Sequence, residues 1–260
     1  MRTVCATRYV TPLREGGSLP AIVEADDLGM YVLKFRGAGQ GVLALVAEVV
    51  AGEIGRALGL PVPEIVFMEV DAALGRNEPD QEIQALLQAS AGINLGLDYL
   101  PGSVMFDLAA RDTASPEIAS ATVWFDSLVT NVDRTASNPN LIWWHRSLYL
   151  IDHGAALYFH HNWSSGTATA AEIPFSGIRK HVLLPWASEI ASVAGQLRRM
   201  LTPDLLMQIL GQVPDDWLTP EEGITTPDEK RAAYHAYFIR RLAAAHIFTE
   251  EAVRARAELV

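Results

Sequence analysis

Lysine is scarce in this sequence: only Lys34, Lys180 and Lys230 occur, against seventeen arginines. Positive charge as a whole is in deficit, with 20 Lys and Arg facing 31 Asp and Glu for a net charge of −11. A broad basic face for nucleic acid is therefore not expected, because neutralising phosphates takes clustered cations. Cysteine is nearly absent. Cys5 stands alone, which excludes an intrachain disulfide and a cysteine-based zinc site; a buried, inert thiol is the expectation for it. Long apolar runs are missing too: none reaches the roughly 18 residues that span a bilayer. With no basic-then-apolar leader at Met1, a cytoplasmic protein without a membrane span is expected.

What is present is a folding composition, 50% apolar and 20% charged. Residues 2–10 (RTVCATRYV) read as a strand, Arg14-Glu-Gly16-Gly17-Ser18-Leu-Pro20 as a turn, and Ala21–Glu24 and Met30–Phe35 as two more strands around Asp26-Asp27-Leu28-Gly29. Leu45, Val46, Val49, Val50, Ile54, Ala57 and Leu58 have helical spacing over 43–58, ended by Gly59-Leu60-Pro61. Strands follow at 62–70 and 93–100, with a short helix at 80–88 between them. After Pro101-Gly102 the pattern changes. A helix over 116–130, a polar loop over 131–140, strands at 141–144 and 148–151, a loop over 155–177 and a mostly helical remainder follow. Thr202-Pro203 and Thr219-Pro220-Glu221-Glu222 read as helix starts. The fold class is α+β: an antiparallel β-rich part over 1–101 precedes a mainly helical part over 102–260.

The chemistry concentrates in Asn131-Val-Asp133-Arg134-Thr-Ala-Ser-Asn138-Pro-Asn140-Leu and in Tyr149-Leu-Ile-Asp152-His-Gly154, whose aspartates lie 19 residues apart. Either cluster alone is ordinary turn chemistry, since Asp and Asn bond their own backbone. Together, across a two-strand hairpin, they supply one aspartate to orient an attacking hydroxyl and an Asn/Asp oxygen pair suited to Mg²⁺ on nucleotide phosphates. Lys34 ends the strand Tyr31-Val-Leu-Lys34 and could reach phosphates as a point charge, though a solvent-facing lysine is the plainer reading of it alone. Glu48 follows in the next helix, where an exposed helix-face glutamate is the plainer alternative. Gly16-Gly17-Ser18 offers backbone N–H groups for phosphate oxygens, or an ordinary hairpin turn. His160-His161 lacks the spaced partner of a metal site, and Trp143, Trp144 and Tyr149 are accounted for by core packing.

Read in order, REGGSLP, YVLKF, AEVVAGEIGRALGLPVP, NVDRTASNPNLIWW and LYLIDHGAAL resemble the HipA-like kinases and, more distantly, the phosphatidylinositol 3/4-kinases. The resemblance implies a two-lobed protein-kinase-like fold. Its N-lobe would be 1–101 and its C-lobe 102–260, with ATP in the cleft between them. It implies that Lys34 holds the α/β-phosphates with Glu48 orienting it, and that Gly16, Gly17 and Ser18 cover the phosphates. By position, Leu97, Asp98, Tyr99 and Leu100 would be the hinge receiving adenine. Asp133 would be the catalytic aspartate, and Asp152 the main Mg²⁺ ligand. Family spacing points to Asn138 as its companion, whereas the lead into the next strand points to Asn140, which is preferred here. The expected activity is ATP- and Mg²⁺-dependent transfer of the γ-phosphoryl group to a protein Ser/Thr or small-molecule hydroxyl. The alternatives are a nucleotide-binding module without turnover and a Mg²⁺-dependent phosphohydrolase.

Overall fold

A computed structural model describes all residues except 14–18, 40, 77, 162, 164–169 and 260. The chain divides into two compact units: Met1–Leu45 with Pro63–Gly102, and Val46–Val62 with Ser103–Val260.

Alternation of apolar and polar residues builds the first unit as a closed five-stranded barrel. Its strands are β1 (Thr3–Pro12), β2 (Ala21–Ala25), β3 (Met30–Lys34), β4 (Ile65–Val70) and β5 (Gly92–Asp98), in the order β1-β2-β3-β5-β4. All pairings are antiparallel except β1 with β4, where Thr3, Val4 and Cys5 lie parallel to Phe67, Met68 and Glu69 and close the barrel. This parallel closure is not visible in local sequence. Register shifts in β1 between Ala6 and Arg8 and between Tyr9 and Thr11 mark bulges that let the strand curve. Val4, Val23, Tyr31, Leu33, Val66 and Met68 fill the interior, and Ile83 and Leu87 of helix α2 (Gln81–Ala89) pack onto the same core. Gly96 is needed there, since a Cβ on it would meet Val66 Cγ2 at 2.9 Å and Met68 Cε at 3.2 Å.

Cys5 is exposed, contrary to the expectation of a buried thiol, because alternation along β1 turns it away from the core beside buried Val4.

The long helix α1 (Gly41–Ala57) counts with the second unit from Val46 on. It ends as its Gly-then-Pro signal predicts: Gly59 takes φ +77° and Leu60 N–H bonds Gly55 O at 3.0 Å. Helix α3 (Pro116–Val129), capped by Ser115 on Ile118 N–H at 3.3 Å, is buried along most of its length. Strands β6 (Val104–Met105), β7 (Leu141–Trp144) and β8 (Ser147–Leu150) form an antiparallel sheet in that order; β6 carries too few residues to leave a pattern. His145 and Arg146 turn the β7–β8 hairpin with φ of 46° and 65°, the positive values such a two-residue turn requires.

Helices α4 (Ile190–Met200), α5 (Pro203–Leu210), α6 (Pro227–Ala243) and α7 (Ala245–Leu259) complete the unit. Thr202 caps α5 as expected. Thr219 starts no helix: Gly223 at φ +78° breaks the backbone, and the start falls at Thr226, whose side chain and that of Glu229 form a reciprocal capping box. Trp143, Trp144 and Tyr149 are only half-buried; Trp144 and Tyr149 pack edge to face at 5.6 Å. No helix among the described residues is long and apolar enough to cross a membrane.

Candidate active site

Helix α3 carries two carboxylates, Glu117 in its first turn and Asp126 deep in its apolar part, where it is fully buried. Such a group persists only when paired. Arg134 Nε donates to its Oδ2 at 2.7 Å, Asn131 Nδ2 to its Oδ1 at 3.1 Å, and His181 Nε2 lies 2.8 Å from Oδ2. Leu183 N–H donates to His181 Nδ1 at 3.0 Å. That bond fixes the tautomer: Nδ1 accepts, so Nε2 carries the proton given to Asp126. Burial raises the Asp126 pKa, but Arg134 and His181 outweigh it and hold the carboxyl below the usual range, at about 2. Burial lowers the His181 pKa against the pull of Asp126, in keeping with a neutral ring.

From this anchor the 131–140 loop is set. Thr130 leaves α3 at φ 53°, an unfavourable conformation for a β-branched residue. Asn131 Oδ1 then accepts Asp133 N–H at 3.1 Å. Asp133 is half-buried, and its Oδ2 accepts Asn138 Nδ2 at 2.7 Å and Asn140 Nδ2 at 3.3 Å. The two asparagines differ in setting. Asn138 is exposed in a turn closed by Asn138 N–H on Thr135 O at 3.2 Å. Asn140 is buried at φ 50°, and its carbonyl accepts both Arg134 Nη1 and, at 3.1 Å, Ile151 N–H. Arg134 Nη1 also reaches Ile151 O at 3.2 Å. One buried guanidinium thus ties Asp126, Asn140 and the residue preceding Asp152. Asp152 follows at φ 55°, half-buried.

Among the described residues no group of three or more His, Cys, Asp or Glu could hold a metal ion by itself. A Mg²⁺ carried on nucleotide phosphates does not need one, since one or two protein oxygens suffice. Carboxylate and amide oxygens, the donor types that Asp152 and an asparagine would offer, suit an ion of that kind.

The other expected residues fall on both units. Lys34 ends β3 opposite Leu95 in the first unit, and Asn94 accepts Arg36 N–H at 2.8 Å just beyond it. Glu48 belongs to the second unit and is buried, not on an exposed helix face. Its Oε2 lies 3.6 Å from His153 Nδ1. Leu97 and Asp98 close β5, and Tyr99 N–H bonds Met30 O at 3.0 Å, with Leu100 buried after it. Gly16, Gly17 and Ser18 lie outside the described residues, as do 162 and 164–169 of the 155–177 loop. His160 Nδ1 lies 3.0 Å from Tyr234 Oη, and burial, followed by His161 and Lys230, pushes its pKa down to about 3.

The motifs include Arg134 and His153 without a role for either, and leave out Asp126 and His181. Asp126 had a signal, a lone carboxylate between Phe125 and Leu128; His181 had none.

The sequence matches the family model described as HipA-like kinase over residues 7–251. The chain belongs to that family and is a kinase. The fold has a counterpart in the crystal structure of the Helicobacter pylori proinflammatory kinase CtkA, with a TM-score of 0.57 over 95% of this chain and 94% of that one. At 14% identity this likeness concerns the fold. No curated protein matches the sequence.

Proposed function

We propose that this kinase uses ATP with Mg²⁺ and transfers the γ-phosphoryl group to a protein Ser/Thr hydroxyl. In this reading residues 1–101 serve as the N-lobe and 102–260 as the C-lobe. The observation that carries it is the double asparagine contact on Asp133 Oδ2, 2.7 Å from Asn138 and 3.3 Å from Asn140, in a loop bonded through Asn140 O to the residue before Asp152. Asp133 accepts or orients the proton of the attacking hydroxyl, and the asparagine amides hold its carboxylate in one direction. Asp152 and Asn140 are the metal-holding residues. Asn140 is favoured over Asn138 by its burial and by its tie to Ile151. Bound Mg²⁺ would neutralise phosphate charge as the phosphoryl group moves. Lys34 acts on the α/β-phosphates with Glu48 orienting it, Gly16, Gly17 and Ser18 cover the phosphates, and Leu97–Leu100 receive adenine.

Incubation with Mg²⁺ and γ-labelled ATP, with and without cell lysate, tests the reading beside Asp133→Ala and Asp152→Ala. Label on protein Ser/Thr that both variants abolish is the expected result. No transfer at millimolar ATP sinks it, and label confined to small molecules changes the acceptor class.

A further inference from the structure

The residue after Asp152 is an imidazole with no exposed surface. Neither nitrogen of His153 has a hydrogen-bond partner among the described residues. Its Nδ1 faces Glu48 Oε2 at 3.6 Å, just outside hydrogen-bond range, and that carboxylate is itself buried. Phe125 packs on the ring edge to face, 5.8 Å between centroids. A position needed only for packing suits a phenyl or an aliphatic side chain better, because a buried imidazole without hydrogen bonds is unfavourable. The ring nitrogen turned toward Glu48 points to a polar task.

We propose that His153 is a positioning residue for Glu48. A contraction of a few tenths of an ångström turns the 3.6 Å approach into an Nδ1–H···Oε2 hydrogen bond. That bond fixes the direction of the Glu48 carboxylate and links helix α1 to the Asp152 segment. His153 is joined to Asp152 by one peptide bond, so a shift of the Asp152 backbone is passed to the ring that faces Glu48. The inference deepens the functional reading above and rests on it for the roles of Glu48 and Asp152.

Three variants test it: His153→Phe, which keeps a ring and deletes both nitrogens; His153→Asn, whose amide N–H can take the place of Nδ1–H; and Glu48→Gln. His153→Phe is expected to lower kcat on the order of tenfold, the scale of a slightly misplaced group, with the KM for ATP changed by less than about threefold. His153→Asn restores most of the loss. In the Glu48→Gln background, His153→Phe has little further effect on kcat. The same pair measured by denaturant unfolding should fall short of independent effects by about threefold or more in the unfolding constant. Equal impairment of the Phe and Asn variants, or effects that multiply in both kcat and unfolding, overturns the proposal. If the wild type transfers no phosphate from ATP, the functional reading fails, and the unfolding cycle alone then decides whether the His153–Glu48 link exists.

Discussion

Asp126 accepts Arg134 Nε–H at 2.7 Å with both side chains fully buried. Their pairing joins the interior of α3 to the loop that carries Asp133. Removing one partner strands the other charge in the core, which costs about 3–5 kcal/mol. Asp126→Ala should lower the unfolding free energy by that order in urea titration and abolish activity through loss of loop order. Arg134→Met added to Asp126→Leu should recover much of the stability and none of the activity, because the ties to Asn140 O and Ile151 O go with the guanidinium. A double variant as unstable as Asp126→Ala would show that the pair is not what holds this region.

The two asparagines should separate in a Mg²⁺ titration of phosphoryl transfer. Asn140→Ala is expected to raise the Mg²⁺ requirement on the order of tenfold or more, the scale seen when a metal site loses a supporting group. Asn138→Ala, from an exposed turn, should shift it less and act mainly through the orientation of Asp133. The opposite ranking would move the metal-holding role to Asn138.

How far the sequence foretold these elements depends on how local their causes are. The β7–β8 hairpin, the end of α1 at Gly59 and the Thr202 cap follow from neighbouring residues and were legible. The parallel closure of β1 on β4 was not, because Val4 and Met68 are 64 positions apart and nothing in either strand names its partner. Spacing and family likeness are what propose Asp133, Asn138, Asn140 and Asp152 for the site. The means of holding them could not be read that way: Asp126 and His181 lie 55 positions apart and meet only in the folded core. Thr226 prevailed over Thr219 because Gly223 at φ +78° interrupts what Thr219-Pro220 would have begun.

Barrel packing gives a separate test. Gly96→Ala places a methyl 2.9 Å from Val66 Cγ2, which the closed barrel accommodates only by shifting a strand. Overpacking of this kind costs about 1–3 kcal/mol. Thermal denaturation should show the loss, and Val66→Ala in the same chain should return part of it by vacating the clash. Gly96→Ala without measurable destabilisation would mean that β4 and β5 are packed more loosely than described.

Stability should fall as pH drops from neutral, and two buried histidines supply the sign. His160 is pushed down to about 3 and His181 is lowered as well, in both cases first by burial. Below the unfolded histidine pKa of about 6.5, the unfolded chain takes up protons that the folded chain refuses. The stability held by neutral histidines is therefore complete above that pH and is lost as pH falls toward the folded values. Each such group contributes a slope of about 1.4 kcal/mol per pH unit while only the unfolded state titrates. Asp126, held at about 2, adds its own loss only below the carboxylate range, roughly pH 4. His160→Phe should flatten the slope between pH 6 and pH 4 by about one proton, measured as urea unfolding free energy against pH. The Tyr234 hydroxyl loses its Nδ1 partner in that variant, so its stability at pH 7 should drop even as the slope eases. An unchanged slope would show that His160 does not stay neutral in the folded protein.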